Sequence, residues 1–317
     1  MKTFTSRLLA SLLFALALPS IALAQTTYPN KPIELIVPYA AGGGTDVLAR
    51  AFSVAAVKHL PQSLIVVNKP GASGAIGWAD TLSKTDGYKV ALLATDLMTQ
   101  PNMGLTKITY ADFIPIARLN YDPAAVTVRA DAPWNTLEEF LQAAKKADLK
   151  AGNGGNGSTW HLAAAAIEDK TGVKFNHIPF NGAAPAALAL LGGHIDVITV
   201  SAAEVYAYTS TGKLKTLAVM SEQRIKGFEK VPTLRELNID ISIGTWRGLA
   251  VAKGTPPEIV NTLRVATAKI VNEQSLRDTL DRQNMGYAYA DGEAYGAVMA
   301  KDHVFYRGLI NKLGLKQ

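Results

Sequence analysis

Two glycine-rich stretches are the places in this chain where the backbone itself could do chemistry. The first runs Pro38-Tyr39-Ala40-Ala41-Gly42-Gly43-Gly44-Thr45-Asp46. The second runs Gly152-Asn153-Gly154-Gly155-Asn156-Gly157-Ser158-Thr159-Trp160-His161. Consecutive glycines turn tightly and aim several N–H groups at one point, and a helix starting there adds unpaired donors and a partial positive charge. Thr45, Ser158 and Thr159 add hydroxyls at the cap positions. Hydrogen bonds to a charged group contribute about 1.5–3 kcal/mol each, and a helix terminus roughly 0.3–1 kcal/mol. Four or five such donors therefore reach the ~8 kcal/mol of micromolar binding, after some loss to ordering. The chemistry this suits is capture of a carboxylate without a lysine. A single turn of this kind is explained as a tight connection, but two of them, one in each half, point to a ligand.

Other chemistries fit less well. Gly152-x-Gly154-x-x-Gly157 satisfies a dinucleotide-binding pattern, yet it lies mid-chain. Glu168 and Asp169 follow it inside a helical segment, where the pattern wants an acid ending a second strand. Ser158 beside His161 resembles a nucleophile and base, but that spacing is also ordinary helix capping and no third orienting residue is apparent. There is no Gly-x-Ser-x-Gly elbow and no His-x-x-x-His cluster, and His59, His161, His177, His194 and His303 are scattered. Neither a catalytic residue, a cofactor nor a metal site is expected. Asp46 reads as an N-cap before it reads as a ligand contact, and His161 as a packing or capping residue.

The elements that must position these turns alternate. Ile33–Pro38, Ser63–Asn68 and Lys89–Ala94 read as strands, separated by helices over Asp46–His59 and Gly74–Leu82. Phe113–Arg129 then holds two extended runs with no helix between them, the expected crossing to a second lobe. The rhythm resumes with helices at Leu137–Ala147, Ser158–Thr171, Ala183–Leu191 and Ala202–Thr211. Strands are expected at Leu149–Gly152, Phe175–Pro179 and Ile195–Val200, and Leu214–Met220 as a strand crossing back. The tail from Pro257 reads as mostly helical. The fold class is α/β: two doubly wound lobes, clamshell-like, with a hinge, in which residues 25–123 and 226–317 form one lobe and 124–225 the other.

Length and composition agree. Lys2 and Arg7, the apolar run Leu8–Leu18 and Ala22-Leu23-Ala24 form a signal peptide with cleavage expected after Ala24, which sends the chain to the periplasm. The chain has 317 residues, and what is left after cleavage is more than one hydrophobic core usually serves. It has no cysteine, hence no disulfide framework and no thiolate metal site. The formal charge of +6 is too small and too dispersed for a nucleic-acid interface.

The opening Tyr28-Pro29-Asn30-Lys31-Pro32 followed by IELIVPYAAGGGTDVLAR resembles the start of the tripartite tricarboxylate transporter receptor family, also called the Bug family. Val67-Asn68-Lys69-Pro70-Gly71-Ala72, Asp86-Gly87-Tyr88, GNGGNGSTWHL at 152–162 and HIPFNGAAPAALALLGGHIDV at 177–197 follow in the family's order. VPTLRELNI at 231–239 and GLAVAKGTPPEIV at 248–260 complete it. The resemblance implies a periplasmic-binding-protein-like fold, of the two-lobed type II kind, that closes around an organic acid. It implies as partners a small carboxylate and the large and small membrane subunits of a tripartite carrier, with the receptor itself a monomer. Carried over residue by residue, the ligand contacts are Tyr39, Gly43, Gly44, Thr45, Asp46, Asn153, Gly154, Ser158, Thr159, His161, Phe180 and Ala183. Tyr39 stands where phenylalanine is common, and Phe180-Asn181 replaces a frequent tyrosine-lysine pair. Trp246-Arg247 resembles the branch that takes up di- and tricarboxylates, which makes Arg247 the candidate for a second carboxylate. Asp96 and Gln100 are placed to face the cleft as well. The alternatives kept open are a ligand-sensing subunit for a signalling receptor and an exported hydrolase.

Overall fold

A computed structural model describes residues 28–316; the expected signal peptide lies outside the described residues. The first part alternates as anticipated: β1 (Ile33–Val37), α1 (Gly44–Ala56), β2 (Leu64–Asn68), α2 (Ala75–Leu82), β3 (Lys89–Ala94) and a short α3 (Asp96–Thr99). Leu48, Phe52 and Ala55 give α1 one apolar face that is buried on the sheet, where Leu35 and Val37 meet it. The long β4 (Phe113–Pro123) is followed almost directly by β5 (Ala125–Arg129), and then α4 (Leu137–Ala144), β6 (Leu149–Asn153), α5 (Thr159–Thr171) and β7 (Phe175–Pro179). Next come α6 (Ala183–Leu191), β8 (Val197–Ile198), α7 (Ala202–Thr209), β9 (Leu214–Val219) and β10 (Gly244–Ala252). The chain ends with α8 (Pro257–Ile270), α9 (Gln274–Arg282), β11 (Tyr287–Asp291) and α10 (Gly292–Leu313).

Two mixed sheets share one plan. The first has the order β2-β1-β3-β10-β4-β11 and the second β7-β6-β8-β5-β9. In each, three parallel strands are followed by one antiparallel strand supplied by the chain crossing between lobes, β10 in the first sheet and β5 in the second. The outgoing and returning crossings lie side by side: Ala124 N donates to Ile243 O at 2.9 Å, and Gly244 pairs with Pro123. Two short adjacent connections of this kind are what a hinge requires.

Three expectations shift. The strand expected at Ile195–Val200 shrinks to Val197–Ile198. The tail, read as mostly helical, also contains β11, a partly exposed edge strand whose pattern gives no clean alternation. The return to the first lobe comes later than Leu214–Met220, because β9 stays in the second sheet, and Val219 N and O both bond to the segment that follows. Leu234, Ile241 and Ile243 pack into the second core, so we assign 226–243 to the second lobe rather than the first. Leu234 is fully buried there, and Leu234→Ala should lower unfolding stability by about 2–5 kcal/mol. Urea denaturation followed by circular dichroism checks this; a loss near zero would return the segment to the surface of the first lobe.

Candidate ligand-binding site

Both glycine-rich turns sit at the carboxyl ends of parallel strands, after β1 and β6, where an open α/β sheet offers its helix N-termini. Gly43 caps α1 in extended conformation and offers no side-chain bond to the first-turn amides. Ser158 caps α5, its Oγ accepting from His161 N at 3.1 Å. Each turn meets the opposite lobe across the cleft. Ala40 N donates to Asn181 O at 3.2 Å, while Ser73 Oγ and Gln100 Nε2 donate to Asn156 O at 2.9 and 2.8 Å. Leu162 of α5 is buried in one apolar cluster with Trp78, Met98 and Trp246 of the first lobe.

The polar centre is a buried charge cluster. Arg247, 1% exposed on β10, donates from Nε to Thr45 Oγ1 at 2.9 Å, from Nη1 to Asp122 Oδ2 at 2.5 Å and from Nη2 to Glu204 Oε1 at 3.0 Å. Glu204 Oε1 also accepts from Gly44 N at 3.2 Å. Beside it, Asp96 Oδ1 accepts from Thr159 N at 2.8 Å and Thr159 Oγ1 at 2.7 Å, and its Oδ2 from the Tyr39 hydroxyl at 2.8 Å. Burial pushes the Asp96, Asp122 and Glu204 carboxyls above the usual carboxylate range. The Thr159 and Tyr39 donors oppose this at Asp96, and Arg247 opposes it at the other two. Burial would lower Arg247, but Glu204 and Asp122 outweigh it and hold the guanidinium charged. About 20 Å³ remains among these groups, room for roughly one water-sized sphere. Two larger depressions, of about 560 and 400 Å³, both border Tyr121 and contain none of the turn residues.

Tyr39, Gly43, Gly44, Thr45, Gly154, Ala183 and Arg247 line this space, together with Trp160, Gly182 and Thr245. The other expected contacts are engaged differently. Asp46 is not the N-cap but lies in the first turn of α1. Burial would raise its carboxyl, but Arg50, the Gly42 amide and Asn68 all donate to it and lower it, so it braces the turn from behind. Thr45 likewise sits inside the first turn of α1 and receives Arg247. Asn153 Oδ1 accepts from Gly155 N at 2.9 Å. Thr159 is committed to Asp96, and Ser158 to capping. His161 Nδ1 accepts from Gly157 N at 3.1 Å; burial and then the neighbouring His177 lower its pKa to about 4, so the ring is neutral. Phe180 packs against the second core. Arg247 faces the space, but its guanidinium is already matched by the chain's own carboxylates.

Glu204 and Asp122 were not foreseen. Ser201-x-x-Glu204 carries the sequence signature of a capping box, and it is one: Oε2 accepts from Ser201 Oγ at 3.0 Å. The signature says nothing of the second oxygen, which crosses the cleft. Asp122 has no local signal. It is buried because β4 pairs with β10, which aligns Arg247 with Asn120.

Removing one member of such a cluster strands the rest. Arg247→Met leaves Asp122 and Glu204 buried without their cation, and the expected loss of unfolding stability is about 3–5 kcal/mol. Because burial raises both carboxyls, folded Arg247→Met binds more protons than the unfolded chain. Its deficit is smallest below the unfolded carboxylate pKa near ~4 and grows as pH rises through the raised folded values. Denaturant melts of both proteins across that range check the magnitude and the sign.

With this geometry in place, similarity to known proteins is informative. Residues 48–315 match the model of the tripartite tricarboxylate transporter family receptor. A Cupriavidus necator protein of the UPF0065 group, encoded in the gbd 5′ region, is 36% identical over 310 residues, covering 94% of this chain and 92% of the relative. A ligand-free crystal structure of a TctC solute-binding protein from Polaromonas is 86% identical and covers 90% of this chain and 100% of its own. It superposes with a TM-score of 0.67. The periplasmic binding protein BugD, 28% identical, covers 91% of this chain and 99% of its own with a TM-score of 0.88. The chain belongs to the tripartite tricarboxylate transporter receptor family, whose members are periplasmic solute-binding receptors rather than enzymes.

Proposed function

We propose that this receptor captures a small organic acid, a di- or tricarboxylate or an aromatic carboxylate, and delivers it to the large and small membrane subunits of a tripartite carrier. One observation carries the reading. The N-termini of α1 and α5, one on each lobe, each hold a carboxylate oxygen within 3.2 Å of a backbone amide. Here those carboxylates belong to the chain itself. The donors are therefore built and aimed for the group an organic acid would bring, with charge-assisted bonds and the partial positive charge of a helix start acting together.

Access requires the lobes to part, since about 20 Å³ cannot hold an organic acid. The adjacent crossings at Pro123–Ala124 and Ile243–Gly244 support such a motion. So does a contrast between relatives: a chain 86% identical superposes at 0.67 while one 28% identical reaches 0.88. A lower score at so high an identity fits lobes set at a different angle about the same cores. Two proteins of this fold from Rhodopseudomonas palustris hold malate and adipate; each is 23% identical to the chain, a likeness that speaks for the fold alone. The choice of a carboxylate rests on the donors.

A calorimetric and thermal-shift screen of mono-, di- and tricarboxylates and aromatic acids tests this. At least one acid should bind at micromolar Kd or tighter and, at a hundredfold excess over Kd, add about 2.7 kcal/mol of stability. A panel without binding would overturn the carboxylate reading.

A further inference from the structure

We infer that Asp96 and Glu204 are built-in surrogate ligands: each reaches from its own lobe to the helix N-terminus of the other and latches the cleft shut with no solute inside. The exchange is reciprocal. Asp96 begins α3 of the first lobe, and its carboxylate takes the backbone amide and hydroxyl of Thr159, at the start of α5 in the second lobe. Glu204 lies in α7 of the second lobe, and its carboxylate takes the amide of Gly44, at the start of α1 in the first, together with Arg247. Between them the two side chains make the contacts that a dicarboxylate bridging the lobes would make.

Local details fit this role. Glu204 is held by one oxygen in the α7 capping box, which fixes its stem and leaves the other oxygen to extend across the cleft. Gly44 has no side chain at the meeting point; a Cβ there would stand 2.8 Å from Arg247 Nη2 and 3.0 Å from Glu204 Oε1. Tyr39, whose hydroxyl donates to Asp96 at 2.8 Å, orients that carboxylate from within its own lobe. Asp96 is buried and the Glu204 side chain is 6% exposed, so the contacts are made away from water, where an unpaired donor or acceptor is costly.

A consequence for affinity follows, and it rests on the carboxylate reading above. An acid must find the amides unlatched, so its apparent Kd equals the intrinsic value divided by the open fraction. The latch thus sets how strong an acid must be as a ligand before it is captured, and a molecule with two carboxylates replaces both surrogates at once.

The chain has no cysteine, so Ile76→Cys on the first lobe and Leu188→Cys on the second, both at exposed positions, give a clean spin-label pair. Distances are read by pulsed electron resonance on the solute-free protein, with circular dichroism to check folding. The parent pair should show a short-distance, closed population. Asp96→Ala and Glu204→Ala should each cut it at least threefold, and Tyr39→Phe should cut it less. Any acid found by the screen should bind these two variants more tightly, by the ratio of their open fractions to the parent's. The variants alter different lobes, so if one fails to fold the other decides. No closed population in the parent, or an undiminished one in the folded variants, overturns the latch. Tighter acid binding with unchanged solute-free distances would mean simple charge repulsion, and would overturn it too. If distances shift while no acid binds, the latch stands and the carboxylate reading falls.

Discussion

A guanidinium taken out of water must be met by fixed partners, and the arrangement around Arg247 follows from that demand. Its three partner groups come from separate parts of the chain: Asp122 on the neighbouring strand β4, Thr45 in the first turn of α1, and Glu204 on the other lobe. The first two are available whether or not the lobes meet. The third arrives only when they close, so closure completes the hydrogen bonding of a charge the first lobe already carries. A pair buried this thoroughly contributes little net stability, because desolvation cancels much of the attraction, but the geometry it imposes is narrow.

The sheets explain why this charge lies where it does. β10 enters the first sheet between β3 and β4 only after the chain has built the second lobe, and all nine of its residues are buried. Its register sets Arg247 opposite Ala94 on one side and Asn120 on the other, at the sheet end where the β1 turn opens, and an irregularity follows between Arg247 and Gly248. Trp246, next to it, sends its indole N–H to Asp302 of α10 at 2.7 Å, tying the strand to the last helix. The same strand therefore serves as crossing, core element and carrier of the site's cation.

The site is built from helix ends and the carboxylates that meet them. Two amide-rich turns at the ends of β1 and β6 supply donors without any lysine, and the carboxylates they hold here come from opposite lobes. Three carboxyls share this cleft with one guanidinium, and burial pushes each of them towards its neutral form while the guanidinium stays charged.

Much of this was legible in the chain's own pattern. Alternating apolar runs and helical periods marked β1 to β3 and α1, α2, α5 and α6 to within a few residues, because local periodicity reports which face a segment buries. The two glycine turns were equally plain, with Gly42, Gly155 and Gly157 in the positive-φ region that favours glycine, and the ordered family motifs marked the kinship. Tertiary structure alone decided what the donors touch. Glu204 carries a local capping signature that occupies only one of its oxygens, and Asp122 carries no signature. β10 finds partners 120 and more residues away, and residues 226–243 join a core that their own sequence does not advertise. Sequence period encodes the environment of a residue within its own element. Which distant charge comes to share that environment is fixed by strand order and lobe contact, and only the assembled molecule holds that information.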